Sequence, residues 1–135
     1  MPGKGLYPKF IPFATVFQAD DGLKNAQSGV IRTTTELQSI LPRQSSYLVD
    51  QVNFENEQLI FVALGERTLG MFEAQINSVL YLSDRGNGLP ALAEVSYKEI
   101  TTPGSIVDPY MEQGAYPMHV IKLRKLDGQT TFDKN

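Results

Sequence analysis

The 135-residue chain contains no cysteine and only one histidine, His119. The absence of cysteine excludes disulfide scaffolds, thiol nucleophiles and cysteine-ligated zinc or iron–sulfur centres. A serine–histidine–aspartate arrangement would have to be built on His119, and no Gly-x-Ser-x-Gly motif accompanies it. The acidic stretches lack the alternating spacing of a calcium loop. The sequence therefore predicts no catalytic residue, no metal site and no cofactor.

Long apolar runs and an excess of positive charge are also absent. The longest wholly apolar run has six residues, from Leu59 to Leu64, whereas a membrane-spanning helix needs about 20. The N-terminus lacks the apolar segment of a signal peptide. With 12 Lys and Arg against 15 Asp and Glu, the net charge of −3 offers no electrostatic surface for phosphate backbones or anionic lipid. We expect neither membrane insertion nor nucleic-acid binding, and localisation stays open.

What the chain does contain is the composition of one soluble globular domain. Hydrophobic residues make up 41% and charged residues 20%, and a chain of this length buries enough surface to fold without a disulfide or a metal. Proline and glycine near the N-terminus predict an extended arm over residues 1–13. Residues 14–126 are predicted to form a single β-rich domain, and residues 127–135 a flexible tail.

Most of the domain is predicted to be β-structure. The apolar run Leu59 to Leu64 is typical of a strand covered on both faces. In residues 71–82 the apolar positions alternate as far as Ile76 and then slip by one residue, which predicts a β-bulge near Asn77–Ser78. Residues 84–88 are predicted to form a hairpin turn. These patterns favour an antiparallel β sandwich or a partly open barrel.

One short helix is predicted over residues 33–41. Thr33 and Glu36 match a capping box, in which the hydroxyl of the first residue and the carboxylate of the fourth each accept a hydrogen bond from a backbone amide. Leu37 begins the apolar stripe that would pack on the sheet, and Pro42 ends the helix. The fold is therefore predicted to be mostly β with this one helix.

Two segments rich in turn-forming residues are the candidate binding loops. The turn 65–72 contains glycine, threonine and arginine, and the segment 103–117 is long and irregular. A long loop in a compact domain is usually functional, and arginine and tyrosine are frequent in the hot spots of interfaces. The predicted partner-binding residues are Arg67, Thr68, Leu69, Gly70, Tyr110 and Tyr116.

Three stretches occur in an order that is found in one known family. They are Ser28 to Ile31 followed by the helix, Val52 to Phe72 with its apolar strand and turn, and the Pro109-Tyr110 and Tyr116-Pro117 pairs before the last strand. In these stretches, the chain resembles the C-terminal domain family named after PrcB, a protease-complex-associated protein. The turn is also similar to the one that chagasin-like cysteine-protease inhibitors use to plug a cleft.

The chain departs from the family pattern in and near the turn. Asn53 stands where the family has aspartate, Leu69 where it has threonine, Met71 where it has a second glycine, and Phe72 where it has tyrosine. Without glycine at position 71, the turn need not let another backbone approach closely. If the family turn is a binding site, this version of it is more hydrophobic.

The resemblance implies an accessory or protease-stabilising module without a known active site, common on exported proteins. We therefore predict a non-catalytic protein-interaction domain with a protein partner such as a protease, with both loops at one end and with Arg67 and Tyr110 exposed. An alternative is a small-ligand or carbohydrate-binding β domain with a pocket lined by Tyr81, Tyr97 and Tyr110. An enzyme would need His119 beside a serine or a carboxylate in a cleft, whereas we expect His119 to be a half-exposed strand residue.

Overall fold

The computed structural model describes residues 8–68, 72–83, 85–101 and 114–135. In chain order its elements are β1 (Lys9–Phe10), β2 (Ala14–Ala19), β3 (Gln27–Ile31), α1 (Thr34–Ile40), α2 (Ser45–Leu48), β4 (Glu57–Ala63), β5 (Arg67–Thr68), β6 (Phe72–Leu82), β7 (Leu92–Thr101), β8 (Gly114–Ala115), β9 (Met118–Arg124) and β10 (Gln129–Lys134). The chain is mostly β, and its fold class is the predicted one.

Two four-stranded sheets pack face to face as a β sandwich. Sheet A has the strand order β1-β6-β7-β10, and sheet B has the order β2-β9-β4-β3. The strands β5 and β8 form a separate two-stranded ribbon. Neighbouring strands in the two sheets are antiparallel, except that β10 runs parallel to β7.

Two apolar clusters lie on opposite faces of sheet B. The inter-sheet core joins residues of both sheets, among them Ile60, Ile76 and Ile121. The second cluster packs Leu37 of α1 and Leu48 of α2 on the outer face of sheet B. Every residue of β4 after the first is buried, which confirms that this strand is covered on both faces.

The helix α1 begins with the predicted cap. The hydroxyl of Thr33 accepts a hydrogen bond from the amide of Glu36 at 3.1 Å. The Glu36 carboxylate accepts from the amide of Arg32 at 2.8 Å, one residue earlier than the predicted return bond to the amide of Thr33. The helix ends with Leu41 as its C-cap, and Pro42 follows.

A second helix, α2, follows α1, whereas the sequence predicts one helix only. Its single turn is held by one fully buried side chain, Leu48, in the second apolar cluster on the outer face of sheet B. A helix this short has almost no intrinsic stability, so its packing decides its conformation. No helix in the described part of the chain is long and apolar enough to cross a membrane.

The long hairpin of β6 and β7 has the predicted bulge. Its register shifts between Ile76 and Ser78, and the buried positions change phase there from Ala74 and Ile76 to Val79 and Tyr81. In the connection to β7, Gly86, Asn87 and Gly88 all have positive φ. Glycine adopts this conformation without a steric penalty, which is why the two glycines predict a turn here.

The C-terminal segment 127–135 was predicted to be a flexible tail, and this prediction is wrong for Gln129–Lys134. These residues form β10, which pairs in regular register along β7. Gly128 precedes the strand with φ +88°, and any β-carbon there would collide with the carbonyl of Ala91. The pattern was missed because Phe132 is the only large apolar residue of β10, so backbone pairing rather than side-chain burial holds this edge strand.

The described part of the predicted N-terminal arm contributes the edge strand β1 to sheet A. Lys9–Phe10 pairs with β6, and the amide of Ile11 donates to the carbonyl of Val79 at 2.9 Å. The side chain of Ile11 is buried in the inter-sheet core. Residues 1–7 of the predicted arm lie outside the described residues.

Candidate functional site

The two predicted binding segments meet at one end of the sandwich. Thr68, the last described residue before positions 69–71, pairs with Gly114, the first after positions 102–113. At their other ends, Phe72 pairs with Thr101. Each segment therefore begins beside the point where the other one ends. We call this end, formed by β5, β8 and the Phe72–Thr101 pair, the ribbon end.

Arg67 anchors the ribbon to sheet A. Its Nε and Nη2 donate to the two carboxylate oxygens of Glu99 at 2.9 and 3.1 Å, and Lys134 Nζ donates to the same carboxylate at 3.1 Å. The hydrogen bond from Arg67 is the main reason why the pKa of Glu99 is lowered, and the same bond raises the pKa of Arg67.

This ion-pair cluster changes the role expected of Arg67. Its side chain is 28% exposed, and its guanidinium is committed to Glu99 instead of being free to meet a partner. It therefore positions the ribbon. Glu99 and Lys134 are not among the predicted site residues, because nothing in the sequence pairs Arg67 with a carboxylate 32 positions away.

Tyr116 is the other predicted site residue whose surroundings are described. It is half-buried, its amide donates to the carbonyl of Asp20 at 2.6 Å, and its carbonyl accepts from the amide of Gly22 at 2.8 Å. A β-carbon at position 22 would collide with the side chain of Met118, so glycine permits this close approach. Leu69, Gly70 and Tyr110 lie outside the described residues, as does the side chain of Thr68.

His119 is not the half-exposed strand residue that the sequence predicts, since it is only 3% exposed. Its Nδ1 accepts a hydrogen bond from the amide of Ile76 at 2.9 Å, so the ring proton is on Nε2, which lies 2.7 Å from the hydroxyl of Thr15 and donates to it. Burial lowers the pKa of His119 to about 4. The prediction failed because β9 is covered on both faces at this point.

The two hydrogen bonds of the imidazole explain why a polar side chain occupies this interior position. Among the described residues, β1 pairs with β6 at Leu80 and Tyr81, and no described strand pairs with this edge of β6 near the bulge. There the amide of Ile76 donates to His119, and the carbonyl of Ala74 accepts from Gln18 Nε2 at 2.9 Å. Side chains of sheet B thus complete the hydrogen bonding of sheet A.

The contacts of His119 give no support to an active site. Among the described residues, its hydrogen-bond partners are a threonine hydroxyl and a backbone amide, and neither a serine nor a carboxylate takes part. The same part of the chain holds no group of three or more His, Cys, Asp or Glu side chains able to bind a metal ion.

The tyrosines of the alternative ligand pocket lie in the sandwich. Tyr81 is 8% exposed, its hydroxyl donates to the carbonyl of Asp127 at 3.3 Å, and the Arg124 guanidinium lies 5.6 Å from its ring centre. Tyr97 packs against the inter-sheet core. Both rings therefore contribute to the packing of the sandwich.

Comparison with protein-family models, with curated proteins and with solved structures finds no match to this chain. The resemblances to the PrcB C-terminal domain family and to chagasin-like inhibitors therefore stay predictions from the sequence. What the fold and the site define is a β-sandwich domain with an anchored ribbon at one end.

Proposed function

We propose that the chain is a non-catalytic protein-interaction domain that contacts its partner through the ribbon end. The observation that carries the proposal is the pairing of Thr68 with Gly114 and of Phe72 with Thr101, which gathers the two candidate binding segments at one place. Interaction surfaces are commonly assembled from neighbouring loops that a rigid scaffold holds in place.

The anchoring of the ribbon supports this role. A bidentate arginine–carboxylate pair fixes both the distance and the orientation of the groups that it joins. Through Glu99, the pair ties Arg67 of β5 to β7, and Lys134 adds β10 to the same contact. A surface held in this way loses less conformational entropy when a partner binds.

A protease is the partner that the family resemblance suggests. The predicted partner-binding residues of the turn are Arg67, Thr68, Leu69 and Gly70, with Tyr110 and Tyr116 on the other segment, and of these Arg67 acts by positioning the ribbon. A turn that is more hydrophobic than the family pattern favours an apolar cleft or groove on the partner.

The proposal is tested by affinity capture from lysate and culture medium of the source organism. The baits are the wild type, an Arg67→Ala/Tyr110→Ala double variant and a Lys125→Ala control. Lys125 is exposed, forms no ion pair with any described residue and lies outside the ribbon end, so the control removes a cation without touching the anchoring contact. Melting temperatures of the three baits are measured beside the capture experiment.

A protein that is retained by the wild type and the control but lost by the folded double variant supports the proposal. If that protein is a protease or a component of a protease complex, the finer assignment is supported as well. Equal retention by all three baits would place the contact elsewhere.

A further inference from the structure

The edge strand β2 borders a groove whose lining reaches Asp21, which pairs with Tyr116 next to β8. The groove has a volume of about 600 Å³ and runs between β2 and the segment that leads into α2. The lining residues that bear on its chemistry are Phe17, Asp21, Arg43, Gln44 and Tyr47. The strand pairs with β9 on one side, and no described residue pairs with it on the other.

The backbone beside the groove can accept another strand. The register of β2 shifts between Thr15 and Phe17, so the regular part of its outer edge is Phe17 to Ala19. A bulge of this kind protects an edge against long, non-specific pairing but leaves a short stretch of unpaired amides and carbonyls. An added segment would therefore be short and extended.

The side chains of the groove indicate the chemistry of that segment. Phe17 is partly buried and Tyr47 is 55% exposed, which gives an apolar and aromatic contact surface. Gln44 is buried, its Nε2 donates to the carbonyl of Asp21 at 2.9 Å, and its Oε1 has no hydrogen-bond partner among the described residues. That oxygen can accept one backbone amide from an incoming chain.

The charges of the groove favour an acidic ligand at one point. Arg43 is exposed and forms no ion pair with any described residue. Its guanidinium matches a carboxylate bidentately. The carboxylate of Asp21 lines the same groove and disfavours a second acidic group beside it. The groove thus suits a segment with one acidic side chain among apolar ones.

We propose that this groove binds an extended segment of a partner protein, which adds to β2 as a strand and pairs an aspartate or glutamate with Arg43. In this mode, backbone hydrogen bonds supply affinity and alternate side chains supply specificity. The residues that carry this proposal, Arg43, Gln44 and Tyr47, do not belong to β5, β8 or the Phe72–Thr101 pair, so it is tested independently of the proposed function.

The test is a selection of displayed random heptapeptides on the immobilised wild-type chain. Enriched sequences are synthesised, and their affinities are measured by fluorescence anisotropy. We expect apolar peptides with one acidic residue, bound about tenfold or more weakly by Arg43→Glu and also more weakly by Tyr47→Ala. Lys98→Glu makes the same charge change at an exposed position on sheet A and should bind like the wild type. N-methylation of alternate peptide amides should reduce binding.

Three outcomes would overturn the proposal. The first is a selection without enriched peptides, and the second is equal binding by Arg43→Glu and the wild type. The third is sedimentation showing a wild-type dimer that Arg43→Glu dissociates, because a second copy of the chain would then occupy the groove. Variants of the ribbon end should bind the peptides normally, which keeps this test separate from that of the proposed function.

Discussion

Lowering the pH from 7.5 to 5 is expected to destabilise the protein through His119. In the folded chain, its Nδ1 must accept the hydrogen bond from the amide of Ile76, and a protonated ring has no acceptor to offer. Burial adds to this by disfavouring the charged form. The folded state therefore binds a proton less readily than the unfolded chain does.

The magnitude follows from the two pKa values. The pKa is about 4 in the folded protein against an ordinary value of 6.5, and this gap corresponds to at most about 3 kcal/mol of unfolding free energy. Between these values the unfolded state binds more protons, so stability falls as the pH falls from 6.5 towards 4. Of the total, about 2 kcal/mol should be lost by pH 5.

Urea unfolding monitored by circular dichroism between pH 5 and 7.5 measures this loss. The control is His119→Asn, which keeps an acceptor near the position of Nδ1 but does not titrate. Carboxylates such as Glu99 contribute to both proteins, so the difference between the two pH profiles isolates the imidazole. Because the chain has a single histidine, its ring signals in an NMR titration belong to His119 without further assignment.

The reasoning would be refuted by an imidazole that titrates near pH 6.5 in the folded protein. It would equally be refuted if the wild type and His119→Asn lost the same free energy between pH 7.5 and 5. Either result would mean that the ring is not held neutral between Thr15 and Ile76.

Three further changes should affect stability in defined ways. Gly128→Ala should cost about 2 kcal/mol, because it combines a positive φ with a collision at Ala91, and amide hydrogen exchange should become faster in residues 129–134. Thr33→Ala should cost about 1 kcal/mol in urea unfolding, whereas Thr33→Ser should keep most of the cap. Glu99→Gln should lower stability by about 1 kcal/mol at low salt and by less at 1 M salt, as measured by thermal unfolding; an effect that does not depend on salt would contradict the ion-pair explanation.

The features that the sequence predicts correctly have local causes. The capping interaction of Thr33 and Glu36 spans three positions, and the bulge after Ile76 follows from a slip in side-chain alternation within one strand. The covered strand β4 is visible because both of its faces are apolar. In each case the residues that determine the structure are neighbours along the chain.

The features that were missed depend on distant partners. His119 lies 104 positions from Thr15 and 43 from Ile76, so its burial follows from how the two sheets cross. For the same reason the candidate site was predicted only in part, because one of its contacts joins residues far apart in the sequence. The two segments could be recognised from their turn residues, but the commitment of Arg67 to Glu99 required the register of β6 and β7.

The strands β4 and β9 lie between the two apolar clusters, and this arrangement determines the cooperativity of unfolding. Ile60 and Val62 face the inter-sheet core, while Leu59 and Phe61 face the cluster under α1 and α2. Detaching the helices would expose one side of the same strands that hold the sandwich together. Neither layer can therefore persist without the other, and the helical and sheet layers should unfold as one cooperative unit in a single calorimetric transition.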